Sequence, residues 1–126
     1  YGIYSRMMNF SAAGYFMISA DVKKESTRLA IEEIYKEILK LQDSLVTDAE
    51  LEIVKNQMLG SFLNEINSPF ALAEKFKSVH YHDLDYSFYQ QFIETINQIT
   101  AEEVRQIAQK HLSRNSMSEV VVGGMQ

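Results

Sequence analysis

Tyr1-Gly2-Ile3-Tyr4-Ser5 and, further on, Gly14-Tyr15-Phe16-Met17-Ile18-Ser19-Ala20 read as the two arms of a hairpin, and the chain beyond them is almost unbroken helix. From Tyr15 to Val22 the side chains alternate, with Phe16, Ile18 and Ala20 on one face and Tyr15, Met17 and Ser19 on the other. Both faces are largely apolar, which predicts a strand that is central in its sheet or covered on both sides. Gly14 permits the turn or bulge that returns this strand to Tyr1–Ser5. The next strand-like run is Glu119-Val120-Val121-Val122-Gly123, at the far end. Three strands are too few to cover the helices between them. Further strands, and the active centre, are therefore expected outside this segment, and a first residue Tyr1 in place of Met agrees with a chain cut from something longer.

The helices announce themselves by spacing and caps. The first is predicted from about Glu25 to Leu41, with Ala30, Ile31, Ile34, Tyr35, Ile38 and Leu41 on one side. Thr47 and Glu50 form a capping box for the second, and Val46 is placed to staple onto Leu51. Its predicted face is Leu51, Val54, Met58, Phe62 and Ile66. Ser68-Pro69 starts a third helix, whose stripe is Phe70, Ala73, Phe76 and Val79. Asp85 is placed to cap a fourth, carrying Phe88, Tyr89, Phe92, Ile93 and Ile96. Thr100 with Glu103 repeats the capping box, and a fifth helix comes next with Val104, Ile107, Ala108 and Leu112. Two strands, five helices and a strand make an α+β chain with an antiparallel sheet.

Bulk properties exclude several classes. The 126 residues are 46% apolar, enough for one domain with a core. A net charge of −5 with scattered lysines and arginines argues against a nucleic-acid binder, which needs a basic stripe to displace counterions. No run approaches the roughly 18 apolar residues of a membrane span. With no cysteine, thiolate chemistry and disulfides are excluded, and the compartment cannot be read from redox usage.

Candidate chemistry is sparse. His80-Tyr81-His82-Asp83, with Asp85 nearby, has the composition of a zinc site but lacks an evident third or fourth ligand; a solvated connector explains it better. His111 sits near a helix end, where its charge suits the dipole. Glu32-Glu33 and Glu102-Glu103 are helical neighbours about 100° apart, so neither pair shares a proton. Gly123-Gly124 comes after a strand-like run, but no phosphate-binding pattern continues from it. Tyr1 and Tyr4 point to opposite faces of their strand, so both cannot be core. A phenol is neutral at pH 7 and donates one hydrogen bond, which suits a peptide carbonyl or a developing oxyanion; packing on a sheet is the plainer role.

Taken in order, several stretches resemble the insulinase/pitrilysin family of zinc peptidases. They are Tyr1–Ser5, Ala13-Gly14-Tyr15-Phe16-Met17-Ile18, Val46-Thr47-Asp48-Ala49-Glu50-Leu51 with Lys55, Leu59 with Phe62, Ile99-Thr100-Ala101-Glu102-Glu103-Val104, and Val120-Val121-Val122-Gly123. The likeness is to the second, non-zinc domain of the processing-peptidase-like branch, and it runs through nearly the whole chain. It implies a LuxS/processing-peptidase-like metallohydrolase fold, incomplete on its N-terminal side, with residues 1–126 forming one truncated domain.

The resemblance also implies a division of labour. In this family an inverted His-x-x-Glu-His helix of the first domain holds zinc and supplies the general base. Neither His80 nor His111 is followed by Glu-His at that offset, so no catalytic or metal-binding residue is expected here. Tyr1 matches the family's substrate-binding tyrosine; the arginine that accompanies it in the family falls ahead of the first residue. The implied role is the substrate-binding half of a zinc-dependent endopeptidase acting on extended peptides. Its partner would be an N-terminal His-x-x-Glu-His domain or a sister chain. The alternatives are a catalytically silent structural or assembly subunit on the same scaffold, and an unrelated helical interaction module.

Overall fold

The computed structural model describes residues 2–10 and 12–123. Two strands, β1 (Gly2–Asn9) and β2 (Gly14–Asp21), precede five helices: α1 (Thr27–Asp43), α2 (Asp48–Glu65), α3 (Pro69–Tyr81), α4 (Ser87–Gln98) and α5 (Ala101–His111). Short 3-10 turns at Lys24–Ser26 and Arg114–Ser116 lie before α1 and after α5. The chain is α+β, as its sequence predicts. It falls into two compact units. One holds the residues up to Asp43 and those from Ile107 onward; the other runs from Ser44 to Gln106.

In the first unit β1 and β2 pair antiparallel in a register that runs from Gly2 opposite Asp21 to Asn9 opposite Gly14. The turn closes with Phe10 N–H donating to the Ala13 carbonyl at 2.9 Å, and the Phe10 and Tyr15 rings stack at 6.1 Å. Gly14 is required sterically: a Cβ there would lie 2.9 Å from the Met8 carbonyl oxygen. Apolar alternation predicts cover on both faces, and the structure differs. Tyr15, Phe16 and Met17 are exposed, and only Ile18 and Ala20 of β2 are partly covered. Neither strand has a second neighbour among the described residues.

Helix α1 buries the predicted stripe, with Tyr35 and Ile38 at its centre. Gln42 joins it to the end of α5: its side-chain N–H donates to the Ala108 and Leu112 carbonyls at 3.2 and 3.0 Å, while Gln109 donates to the Gln42 carbonyl at 2.7 Å. The bonds at the Gln42 and Leu112 carbonyls satisfy oxygens at or just past a helix end, while the Ala108 carbonyl also accepts the Leu112 N–H at 2.9 Å. The run Glu119–Gly123, expected as a strand, is not one. Val120 and Val122 are 86% and 94% exposed and Gly123 has φ +100°. A strand needs a neighbour's backbone, and none of the described residues supplies it. Ahead of the stretch, Arg114 lies 4.2 Å over the Tyr35 ring. Burial, then the neighbouring Glu119 carboxylate, push the Tyr35 phenol above its ordinary pKa, with Arg114 opposing.

The second unit is built on caps. Thr47 and Glu50 make the predicted capping box of α2, with Glu50 N–H to Thr47 Oγ1 at 3.2 Å and Thr47 N–H to Glu50 Oε2 at 3.1 Å. Ser68 caps α3 through Ala71 N–H at 3.1 Å, with Pro69 in the first turn. Thr100 and Glu103 form the second box at the start of α5. The inward faces are rotated from those predicted. Helix α2 turns Leu51, Lys55, Leu59, Phe62 and Ile66 inward and leaves Val54 and Met58 50% and 44% exposed. Helix α3 turns Ala71, Lys75 and Val79 inward, while Phe70 is 86% exposed. Lysines take these positions because their stems pack while their ammonium groups find oxygen. Lys55 donates to the Asn97 carbonyl at 3.2 Å, in the last turn of α4, where a positive charge is favoured.

Candidate functional site

The hairpin carries the residues that matter most for a peptide-binding reading. Paired positions share a face, so Gly2, Tyr4 and Arg6 lie together with Met17, Ser19 and Asp21. Tyr4 is 68% exposed, and its ring folds along the strand over Gly2, so that a Cβ at Gly2 would stand 2.9 Å from the phenolic oxygen. Ile3, on the other face, is 63% exposed. Tyr1, the expected substrate-binding residue, lies outside the described residues.

The histidine-containing connector is a helix terminator. Asp83 has φ 54°, its N–H donates to the His80 carbonyl at 3.2 Å, and Leu84 N–H donates to the Val79 carbonyl at 2.8 Å. These two bonds are a Schellman ending, with Asp83 at the left-handed position that glycine usually fills. His80 stacks on Phe76 at 5.7 Å and 5°, and His82 stands edge-on to Tyr81 at 5.2 Å. The Asp85 carboxylate accepts Ser87 N–H at 2.7 Å, and hydrogen bonds from the Ser87 side chain and then its backbone lower its pKa, although the cap position itself is Tyr86. Among the described residues no group of three or more His, Asp or Glu side chains could hold a metal ion. The donor set among the described residues therefore does not fit zinc.

A family model described as the peptidase M16 inactive domain matches residues 1–58. Over that stretch the chain is similar to the peptidase M16 inactive domain. The matched stretch takes in the hairpin, α1 and the capped first half of α2. The resemblance to the second, non-zinc domain of insulinase-like peptidases thus rests on the M16 match together with the α+β arrangement. No curated protein and no solved structure matches the chain. None of the helices among the described residues is long and apolar enough to cross a membrane.

One constellation escapes sequence reasoning. Phe62, expected in the core, lines a cleft of about 390 Å³ with Lys75, Tyr89 and Phe92, all within the second unit. The available signal is Lys75 itself, a cation at helical spacing between the inward Ala71 and Val79.

Proposed function

We propose that this chain belongs to an M16-type inactive domain and is the non-catalytic, substrate-binding half of a zinc-dependent endopeptidase that cleaves extended peptides. The match over residues 1–58 carries the reading. The hairpin supports it: β1 and β2 pair only with each other among the described residues, so each has a free edge. An extended peptide binds such an edge by adding a strand, with alternate side chains meeting exposed groups such as Ile3 and Phe16. Zinc and the general base belong to a partner half, either an N-terminal His-x-x-Glu-His domain or a sister chain. The part of this chain is to hold the peptide, with Tyr1 donating its phenolic hydrogen to the scissile carbonyl as charge develops there.

The test is a peptide-cleavage assay on the intact two-half enzyme. Replacing the glutamate of the partner's motif should abolish turnover. Tyr1→Phe should lower kcat by up to about 10²–10³-fold with KM changed far less, as for loss of one oxyanion donor. An unchanged rate removes Tyr1 from the mechanism. A stable assembly that cleaves nothing makes the chain the silent scaffold subunit instead.

A further inference from the structure

The cleft between α2, α3 and α4 is already occupied in part by a cation of this chain. Lys75 Nζ lies 5.4 Å from the Phe62 ring centroid and 5.6 Å from that of Tyr89, and pairs with Glu65 at 2.5 Å. The rings are set at 5.7 Å and 41° to each other, and Phe92 adds a third wall 5.7 Å from Phe62. Tyr89 is pinned by its hydroxyl, which donates to the Lys75 carbonyl at 3.0 Å. Two aromatic faces and a carboxylate form a cage for a positive charge, because ring faces carry negative quadrupole potential. The Lys75 side chain is 25% exposed, whereas Glu65 is 59% exposed and stands at the mouth. A second carboxylate, Glu74, lines the continuation of the cleft and pairs with Lys77 on its own helix, so Glu65 is the carboxylate that faces the rings.

We propose that this cleft is a binding site for an arginine side chain presented by a peptide segment, and that Lys75 is its built-in placeholder. A guanidinium is planar and weakly hydrated, stacks on aromatic rings, and bonds a carboxylate through two N–H groups. It therefore outcompetes an ammonium for Glu65 and the two rings. The cleft of about 390 Å³ leaves room for the aliphatic stem along Met58 and Phe92. Lys75 then swings into solvent from its partly open position. This site stands apart from the peptidase reading: apart from Gln57 and Met58, the residues lining it fall beyond the matched 1–58.

The experiment is calorimetric titration of the full chain with short acetylated peptides that differ at one central residue: arginine, norleucine or glutamate. The arginine peptide should bind about tenfold or more tightly than the norleucine peptide, and the glutamate peptide not measurably. Glu65→Gln should weaken arginine binding about tenfold, with an unchanged circular dichroism spectrum as its folding control. Lys75→Met should tighten it several-fold by removing the competitor, with an unchanged circular dichroism spectrum as the folding control. Equal affinity for arginine and norleucine overturns the proposal in favour of a plain apolar pocket. Preference for the glutamate peptide, lost in Lys75→Met, overturns it in favour of an anion site. Absence of binding by all three peptides overturns it outright.

Discussion

Asp83 shows how a residue in a cluster of ligand-like composition can serve to end a helix. Its left-handed φ of 54° and the two bonds around it end α3, and the histidines beside it stack on aromatic rings. A non-glycine residue in that region is strained by about 1–2 kcal/mol, so Asp83→Gly should stabilise the chain by about 1 kcal/mol in urea unfolding. If Asp83 had a ligating role, the same change would leave stability flat or lower. The two capping boxes make a second prediction. Hydrogen bonds from the Thr47 hydroxyl and backbone lower the pKa of Glu50, and those from the Thr100 backbone and hydroxyl lower that of Glu103. A carboxyl depressed in the folded state adds stability above its unfolded pKa, and that stability is lost as pH falls through the folded value. The chain should therefore lose stability as acid takes the pH below about 4, and Glu50→Gln with Glu103→Gln should flatten that dependence. Tyr35 runs the opposite way. Its raised phenol adds stability below the unfolded tyrosine value, lost as pH rises through the folded one, and Glu119→Gln should lower its ultraviolet titration midpoint.

At the level of elements, glycine positions separate close approach from open space. Gly14→Ala puts a methyl 2.9 Å from the Met8 carbonyl oxygen, inside the hairpin, and should destabilise by about 1–3 kcal/mol. Gly60, in the middle of α2, has nothing within 4 Å of an added Cβ, so Gly60→Ala should stabilise by up to about 1 kcal/mol. Thermal unfolding of the two variants beside the parent checks both signs. Local and non-local signals divide in the same way. Caps at Thr47, Ser68 and Thr100, and the stripe of α1, are legible in the sequence because their partners lie within a few residues, and the structure contains them. The faces of α2 and α3 are not, because their apolar residues exceed what one face holds. Lys55 and Lys75 turn inward on the strength of a carbonyl in α4 and a carboxylate in α2, partners that no local window displays. Glu119–Gly123 has strand composition, but strand formation depends on a neighbour's backbone.

For the whole molecule, the open apolar side chains are the physical counterpart of the functional reading. Ile3, Phe16 and Leu29 in one unit and Ile53, Phe70 and Phe76 in the other are more than 40% exposed. Covering such groups yields about 25 cal/mol per Å² of apolar surface, so their burial against another surface is favourable, as the proposed partner half requires. A dye that fluoresces on apolar surfaces should therefore brighten with the chain alone and dim when the partner half is added; a signal indifferent to the partner contradicts that role. The central claim is that the chain folds as half of a peptidase and depends on the other half for its metal. Equilibrium dialysis against zinc, with cleavage of an extended fluorogenic peptide measured afterwards, tests it most directly. The account predicts no stoichiometric zinc on the chain alone and no cleavage until the His-x-x-Glu-His half is added. One zinc bound per chain, with hydrolysis by the chain on its own, would contradict it.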